Sequence, residues 1–350
     1  MVDPRQTGPD GPWKDRLRAA WRWLRPVVGV GLLVLLLAVV PLEEVLSSIA
    51  GARGGPLLLV ILVSASLRLL VWLRLWLLVR TGAPGAGPFI VLRATYIGTF
   101  FNNFLPTGHG GDVLKVTEMY GESVPLGHAA ASVVAERGLS MLVPLALAVV
   151  VAGAYGELFT RLGLEVLRWP MFAGAAVLLG GLALSYLLWR VRLKALLKSR
   201  RDGPILGRLY RAIESFYVFR NNPAVVVGVL ALSVLIYLLI AANLVALVWA
   251  VGGSLPLGDS VAIIPIRKFG DALPISVGSL GVREGILTYC LSRLGLTASQ
   301  GAAAALLLRA LNLAHSAIGG CLYVWWKHGR KSPATQSATE EEERAPAPTQ

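Results

Sequence analysis

The sequence is poor in charge. Only 15% of its 350 residues are Asp, Glu, Lys or Arg, whereas 55% are hydrophobic. A soluble domain needs more charge to cover its surface, so this composition excludes an ordinary soluble fold. Cysteine is also scarce, and the two present, Cys290 and Cys321, lie in apolar surroundings that indicate neither a disulfide framework nor a metal cluster. The sequence therefore predicts an all-α polytopic membrane protein.

Acidic residues are few: 20 Asp and Glu stand against 33 Lys and Arg, which gives a formal net charge of +13. The basic residues collect near the N-terminus, between 190 and 220, and directly after the last apolar run. This distribution fits contact with the anionic cytoplasmic leaflet of a membrane and argues against nucleic acid as a partner. A polar, basic segment of about 25 residues precedes the first apolar run, so we expect no cleavable signal peptide.

Signatures of catalysis are also missing from the sequence. It contains no paired-aspartate motif for a magnesium–diphosphate site, no His-Glu-x-x-His motif and no Gly-x4-Gly-Lys-[Ser/Thr] loop for ATP. We therefore predict a protein without enzymatic activity, cofactor or metal ion. Any transport that it drives would draw energy from an ion gradient, from the lipid gradient itself or from a partner protein.

Long apolar runs, by contrast, are abundant. Six of them approach the ~20 residues that a helix needs to cross a bilayer. Two further segments, 88–128 and 259–298, are moderately apolar and are interrupted by proline and glycine. The six predicted spans are 26–47, 54–80, 129–155, 169–190, 223–251 and 299–326.

The two interrupted segments share one pattern. Each contains a Leu-Pro pair, ending in Pro106 or Pro274, which is followed by several glycines and then by charged residues. Proline and glycine at this density break a helix, and broken backbone at membrane depth persists only where it is buried in protein or lines a wet cavity. A matched pair of interruptions, one in each half of the chain, is the best sequence indicator of a transporter's substrate site.

Lysine and arginine in the short loops predict the orientation. The N-terminal segment, the loop 190–222 and the residues after the last span are basic and should be cytoplasmic, whereas the loops near 43–53 and 157–168 should face outside. If successive spans alternate in direction from a cytoplasmic N-terminus, segment 88–128 enters and leaves on the cytoplasmic side. By the same count, segment 259–298 enters and leaves on the outer side. The second half therefore repeats the first in inverted orientation, as in several alternating-access transporters.

The predicted organisation has three parts. Residues 1–25 form a basic cytoplasmic segment, residues 26–328 form the transmembrane domain, and residues 329–350 form a disordered cytoplasmic tail. The first repeat covers about 26–155 and the second about 169–326. Two re-entrant segments would give about 8–10 membrane helices or half-helices; alternatively, each interrupted segment is two tilted full spans, which gives about ten helices. We expect the domain to lie in the cell membrane with both termini in the cytoplasm.

Charged residues inside apolar segments cost free energy and therefore indicate a function or an ion pair. Bases outnumber acids among them, which suits an anionic ligand, although Glu136, Asp112 and Glu284 could instead pair with these bases in a purely structural role. Arg68 and Arg74 are six positions apart on one predicted span and cannot share a helix face, so we expect one of them to extend to the interface. The candidate substrate-binding residues are Asn103, Pro106, Gly110, Gly111, Asp112, Lys115, Glu136, Arg137, Pro274, Gly278, Gly281, Arg283, Glu284 and Arg309.

These motifs resemble the transmembrane flippase domain of bacterial lysylphosphatidylglycerol synthases and its stand-alone relatives. The resemblance covers about residues 20–328 and includes Asn103 to Pro106 with Gly110 to Asp112, Glu136-Arg137, and Pro274 followed by Gly278 and Gly281 to Gly285. It implies translocation without the family's soluble lipid-aminoacylating domain, because only 24 residues follow the last span. Such relatives are associated with aminoacylated phospholipids, glycolipids, polyprenyl-linked lipids or hopanoid precursors, so a separate lipid-synthesising enzyme is an expected partner.

Three functions are compatible with these features. A lipid flippase or translocase would pass an anionic, aminoacylated, polyprenyl-linked or glycosylated headgroup through a basic cavity while the tails stay in the bilayer. A secondary transporter would move a small anionic solute, with Glu136 or Asp112 carrying a coupling proton. An intramembrane lipid-modifying enzyme would need a catalytic constellation, of which the sequence gives little sign. The first function agrees best with the base-rich interrupted segments.

Overall fold

The computed structural model describes residues 42–104, 110–120, 122, 124–188, 222–272 and 279–329. All regular structure in these ranges is helical, which confirms the predicted all-α class. The first seven helices are α1 (Leu42–Ala50), α2 (Gly54–Gly82), α3 (Pro88–Phe104), α4 (Gly110–Tyr120), α5 (Leu126–Ala154), α6 (Gly156–Leu162) and α7 (Glu165–Leu188). The remaining four are α8 (Pro223–Ala250), α9 (Leu257–Ala272), α10 (Val282–Arg293) and α11 (Ala298–Gly329).

Four helices within the described ranges are long and apolar enough to cross a bilayer: Gly54–Gly82, Leu126–Ala154, Pro223–Ala250 and Ala298–Trp326. They coincide with four of the six predicted spans. The 24-residue helix α7 covers most of a fifth, 169–190. The predicted first span, 26–47, lies mostly outside the described residues, as do nearly all of the loop 190–222 and the tail 329–350.

Each interrupted segment contains two helices that are shorter than the ~20 residues needed to cross a bilayer. The first interrupted pair is α3, with 17 residues, and α4, with 11. The second interrupted pair is α9, with 16 residues, and α10, with 12. Three predicted substrate-binding residues, Pro106, Pro274 and Gly278, fall between the helices of these pairs and lie outside the described residues.

The start and the end of the first interrupted pair lie together, beside the N-terminal end of α5. Arg93, near the start of α3, forms two ion pairs. One, of 3.4 Å, is with Glu118 in the last turn of α4, and the other, of 3.3 Å, is with Glu122 just beyond the end of that helix. The Arg93 guanidinium also stacks on Trp326, near the C-terminal end of α11, at 3.6 Å from the ring centroid. This pair therefore begins and ends at one end of the molecule.

The start and the end of the second interrupted pair lie together beside α6, which follows the C-terminal end of α5. Arg161 Nη2 of α6 lies 2.9 Å from Oδ1 of Asp259, at the start of α9. Tyr289, in the second half of α10, donates its hydroxyl to the Leu162 carbonyl oxygen over 2.8 Å. The two interrupted pairs are thus anchored at opposite ends of the 29-residue helix α5.

A series of four helices recurs along the chain with closely similar lengths. Helices α2 to α5 have 29, 17, 11 and 29 residues, and α8 to α11 have 28, 16, 12 and 32. The two series pack crosswise, because α3 contacts α11 and α9 contacts α5. The α3–α11 contact is close: a Cβ added at Gly319 would overlap the Tyr96 carbonyl oxygen.

Helices α2 and α8, the first members of the two series, form an antiparallel pair. At one end the Arg53 amide donates to the Ala250 carbonyl oxygen over 2.9 Å, and toward the other end Leu78 and Val229 share a buried apolar cluster. No residue of α8 is charged, so this helix is suited to a wholly apolar environment. The antiparallel pair forms the centre to which both interrupted pairs are attached.

Candidate functional site

The first interrupted pair is held closed by backbone contact at glycine. A Cβ added at Gly111 would overlap the Gly98 carbonyl oxygen, so α3 and α4 approach each other where neither has a side chain. The Asn102 Oδ1 atom accepts the Gly111 amide over 2.9 Å, and its Nδ2 atom lies 3.3 Å from Asp112 Oδ1. Asn102 thereby fixes the start of α4 and orients Asp112.

Five charged side chains form the first charge cluster, defined as Arg74, Asp112, Lys115, Glu136 and Arg137. Glu136 accepts from Arg74 Nη2 over 2.6 Å through Oε1 and from Lys115 Nζ over 3.3 Å through Oε2. Lys115 Nζ also lies 3.6 Å from Asp112 Oδ1, and Asp112 Oδ2 pairs with Arg137 Nε. Each carboxylate contacts two bases, so Glu136 is paired although it is only 3% exposed, and the three bases exceed the two acids by one charge.

The prediction that Arg68 or Arg74 extends to the membrane interface is wrong. Arg74 belongs to the buried first charge cluster. Arg68 Nη2 donates to the Asn312 Oδ1 atom of α11 over 2.7 Å. The two arginines reach different neighbours of α2: Arg74 reaches α5 and α8, and Arg68 reaches α11.

A second carboxylate–arginine pair lies at the start of α10. Gly281 precedes this helix with a φ of 76°, a conformation that favours glycine, and its amide donates to Glu284 Oε2 over 2.7 Å. The other carboxylate oxygen, Oε1, lies 3.7 Å from Arg309 Nε. Glu284 therefore caps α10 and connects it to α11.

The two carboxylate–arginine pairs occupy equivalent positions in the two helix series. Asp112 and Glu284 are each the third residue of the shorter helix of an interrupted pair. Arg137 and Arg309 are each the twelfth residue of the long helix that follows. The same ion pair thus joins the interrupted pair to the next long helix in both halves.

The antiparallel pair α2–α8 contains a reciprocal set of polar contacts. Arg74 Nη1 donates to Ser233 Oγ over 3.2 Å, and Asn243 Nδ2 donates to Ser64 Oγ over 3.2 Å. Ser64 and Ser233 are each the eleventh residue of their helix, and Arg74 and Asn243 are each the twenty-first. Such reciprocity, in which two positions contact each other in both directions, is the pattern of a twofold-related interface.

The two helix series differ in what surrounds the twenty-first residue of their first helix, which is Arg74 in α2 and Asn243 in α8. In the first half Arg74 reaches Glu136, the eleventh residue of α5, and Glu136 also binds Lys115, the sixth residue of α4. The equivalent positions in the second half are Leu308 and Leu287. Asn243 consequently has no counterpart of Glu136 and faces a cavity instead.

This cavity has a volume of about 250 Å³ and lies among α2, α8, α9, α10 and α11. Arg68 and Asn312, which are hydrogen-bonded to each other in its wall, are each the fifteenth residue of a 29-residue apolar span, so the cavity lies midway along these helices. The described residues that line it include four bases and no acid. They are Ser64, Leu67, Arg68, Val71, Ile236, Ile240, Asn243, Leu244, Arg267, Lys268, Arg283, Leu308, Leu311, Asn312 and His315.

Most of the chain matches a known family of membrane proteins. The family described as the lysylphosphatidylglycerol synthase TM region covers residues 22–320. The chain belongs to this family. No curated protein and no solved structure gives a significant match. Membership, together with the long apolar helices, indicates a membrane location and a lipid-related function.

In this member of the lysylphosphatidylglycerol synthase TM family, the predicted substrate-binding residues do not form one group. Arg283 alone, of those that the structure describes, lines the cavity. The residues of the first charge cluster pair with one another, and Glu284 pairs with Arg309, as the structural alternative for the two glutamates proposed. Gly110 and Gly111 start α4, Gly281 starts α10, and Asn103 is half-buried near the end of α3.

Several lining residues were not among the candidates that the family motifs suggested. Asn243 is the single amide of α8, Asn312 lies midway along the apolar span of α11, and Arg267 and Lys268 lie on α9 ahead of the second interruption. A polar residue at the middle of a predicted span is the signal that could have identified the asparagines. Their partners could not have been inferred, because Ser64 and Arg68 are distant in sequence.

Proposed function

We propose that this protein is a lipid translocase of the cell membrane that passes an anionic lipid headgroup through the cation-lined cavity. The observation that carries the proposal is the convergence of Arg68, Arg267, Lys268 and Arg283 on one cavity midway along the spanning helices. A charge at this depth costs at least ~2.5–3.5 kcal/mol on insertion scales and is usually functional or paired, and a wall that contains four bases suits an anionic group better than a cationic one. Arginine can hold a phosphate with two parallel hydrogen bonds.

The size of the cavity supports transport of a headgroup rather than of a whole lipid. A volume of about 250 Å³ accommodates a phosphate with a small substituent but not two acyl chains. The tails would therefore remain in the bilayer while the headgroup crosses. The same volume would accept a small anionic solute, which makes a secondary transporter the second candidate. We assign no chemical step to the cavity, and a separate lipid-synthesising enzyme would supply the substrate.

We further propose that the two helix series are inverted repeats whose interrupted pairs re-enter from opposite sides of the membrane. The antiparallel α2–α8 pair, the reciprocal serine contacts and the anchoring of the interrupted pairs at opposite ends of α5 all support this relation. Inverted repeats allow a central site to face each side in turn. With the basic segments placed by the positive-inside rule, both termini are cytoplasmic.

Cysteine labelling of intact cells tests this topology. In a variant without Cys290 and Cys321, Ser47→Cys and Thr160→Cys should react with an impermeant maleimide added outside, because both positions are exposed and lie on the outer side in the proposed topology. Ser199→Cys and Ser332→Cys should react only after permeabilisation. Reaction of Ser199→Cys in intact cells would contradict the orientation.

Reconstitution into liposomes tests the transport itself. The purified protein should accelerate the transbilayer movement of a tail-labelled anionic phospholipid, measured by bleaching of the outer leaflet. Arg68→Ala should slow this movement by about ten- to a hundredfold, the equivalent of one lost charge-assisted hydrogen bond. The matched control is Arg53→Ala, since Arg53 is exposed before the start of α2. Uptake of a soluble anion without lipid movement would instead support the secondary transporter.

A further inference from the structure

Three carboxylates near the interrupted pairs are engaged by bases. Asp112 and Glu136, which the sequence suggested as carriers of a coupling proton, each contact two bases. Glu284 accepts the Gly281 amide and pairs with Arg309. Such partners favour an ionised carboxylate over a protonated one. None of the three lines the cavity, so a proton that accompanies a headgroup needs a different carrier.

The cavity wall contains a histidine, His315 of α11, which lies three positions beyond Asn312 on the same side of the helix. Its Nδ1 atom lies 2.8 Å from the Leu311 carbonyl oxygen, and because a carbonyl only accepts, Nδ1 carries the hydrogen. The neutral ring then has its lone pair at Nε2. This atom has no hydrogen-bond partner in the described part of the chain, and it is not among the fully buried polar atoms that lack one. His315 can therefore accept a proton at Nε2.

The described charged groups on other helices packed against α11 are mostly engaged elsewhere. Helix α8 has no charged residue, and the two acids of α1, Glu43 and Glu44, are exposed. On α3, Arg93 stacks on Trp326, eleven positions beyond His315. Histidine is also the side chain that ordinarily changes its charge near neutral pH. The charge state of His315 therefore depends chiefly on what the cavity wall and its contents supply.

The bases of the cavity wall are Arg68, Arg267, Lys268 and Arg283. All but Arg68 have further interactions within the protein, so their charges are not counted as open. Arg68 has no carboxylate partner among the described side chains, which do not include that of Asp271. Its Nη2 atom donates to the neutral Asn312 amide, and it interacts electrostatically with Tyr96 of α3. An anion on Arg68 would favour a proton on His315, and by linkage the proton would favour the anion.

We propose that His315 is a proton-binding site that couples headgroup translocation to a proton gradient. The anionic headgroup binds Arg68, and a proton from water on the same side binds Nε2 of His315. Both leave together on the other side, where the proton returns to water. One negative charge and one proton make a neutral pair, so their passage does no work against the membrane potential. This assignment rests on the proposed translocation of lipids and adds its co-substrate and its source of energy.

Liposomes with an imposed pH gradient test the coupling. Tail-labelled phosphatidylglycerol, which carries one negative charge, should collect in the leaflet that faces the less acidic side. With one proton per lipid, the ratio between leaflets should approach about tenfold for one pH unit, relative to protein-free liposomes. A potassium diffusion potential without a pH gradient should leave the leaflets equal. Equal leaflets under the pH gradient, or redistribution by the potential alone, would overturn the proposal.

Substitutions assign the coupling to His315. His315→Gln and His315→Asn keep a polar side chain but cannot take up the proton, so lipid movement should be slower, unresponsive to the pH gradient and sensitive to the membrane potential. The matched control is His128→Gln, since His128 lies within α5, is hydrogen-bonded to the Val79 carbonyl oxygen and does not line the cavity. This control should keep the wild-type leaflet ratio. A wild-type ratio in either His315 variant would overturn the assignment.

The same liposomes separate this inference from the proposed function. If labelled lipid moves no faster than in protein-free liposomes under any gradient, lipid translocation itself is wrong. If the lipid equilibrates rapidly but stays equally distributed under the pH gradient, translocation holds and the proton coupling is wrong.

Discussion

Asp112 and Glu284 hold the same place in two halves of the molecule: each is the third residue of the shorter helix of an interrupted pair, and each pairs with an arginine of the next long helix. These contacts join two segments whose backbone is interrupted nearby. Each contact therefore ties an interrupted pair to the helix bundle. Under the proposed topology, the Asp112 contact belongs to the pair that enters from the cytoplasm and the Glu284 contact to the pair that enters from outside.

Neutralising either carboxylate should open one side only. Asp112→Asn weakens the hold of Arg137 on α4, and Glu284→Gln weakens that of Arg309 on α10. With Ile240→Cys as a reporter in the cavity of a variant without Cys290 and Cys321, Asp112→Asn should increase labelling from the cytoplasmic side and Glu284→Gln labelling from outside. Rates of reaction in vesicles of defined orientation provide the measurement.

Glu157→Gln serves as the control for this experiment. Glu157 is an exposed carboxylate in the first turn of α6 and does not line the cavity. Labelling of the cavity should be unchanged in this variant. An increase on the same side in both Asp112→Asn and Glu284→Gln would contradict the assignment of the two pairs to opposite sides.

Arg283 lines the cavity at the start of α10, where backbone amides and the helix dipole also favour an anion. Arg283→Lys keeps the charge but loses the two-pronged contact with phosphate, whereas Arg283→Ala loses both. We expect headgroup transport to fall from wild type to Lys to Ala, by about tenfold at each step. If Arg283→Ala fails to accumulate in the membrane and Arg283→Ala with Glu284→Ala recovers, Arg283 is a structural residue.

Glu136 holds two buried bases, so its removal should destabilise the protein. Glu136→Leu leaves Arg74 and Lys115 without their shared carboxylate, a change that costs about 3–5 kcal/mol for a buried pair. The triple change Arg74→Asn, Lys115→Leu and Glu136→Leu reproduces the residues of the second half, and it should recover most of this loss. Thermal unfolding in detergent measures both effects.

A triple variant that unfolds as readily as Glu136→Leu would indicate that the two halves are not interchangeable at this position. Transport offers a second measurement. Because the first charge cluster does not line the described cavity, the triple variant should keep the headgroup preference of the wild type even where its overall rate is lower.

Gly111 permits the contact between α3 and α4, and alanine should prevent it. The added Cβ would overlap the Gly98 carbonyl oxygen, which belongs to the backbone and cannot move aside cheaply. We expect Gly111→Ala to cost about 1–3 kcal/mol and to lower the melting temperature. Gly138→Ala is the matched control, because nothing lies within 4 Å of its Cβ position and alanine favours a helix. Equal melting temperatures for the two variants would contradict the close approach.

The sequence predicted the helical class and the two interruptions because these features depend on local composition. Proline and glycine around Pro106 and Pro274 disfavour a helix wherever the chain lies, and runs such as 223–251 are apolar throughout. The placement of the charges depended on contacts between distant segments. The sequence predicts that either Arg68 or Arg74 extends toward the interface, since the pairing of Arg74 with Glu136 across 62 positions has no local signal.

The cavity was predicted in character but not in composition. The sequence favoured a basic site near the interruptions, and Arg283 does line a base-rich cavity. The motifs, however, also favoured residues such as Glu136 and Gly111, which do not line the described cavity. The sequence does not single out Asn243, because the surroundings of this residue depend on a distant helix. Leu308 of α11 occupies the position that Glu136 occupies in the first half.

The crosswise packing of the two series has a mechanical consequence. Helix α3 contacts α11, which carries Arg309, and α9 contacts α5, which carries Arg137. Each interrupted pair therefore packs against the long helix whose arginine binds the carboxylate of the other interrupted pair. Outward displacement of one interrupted pair would shift the helix whose arginine holds the other pair, so the two pairs are mechanically coupled. In the proposed translocase, this coupling would disfavour opening to both sides of the membrane at once.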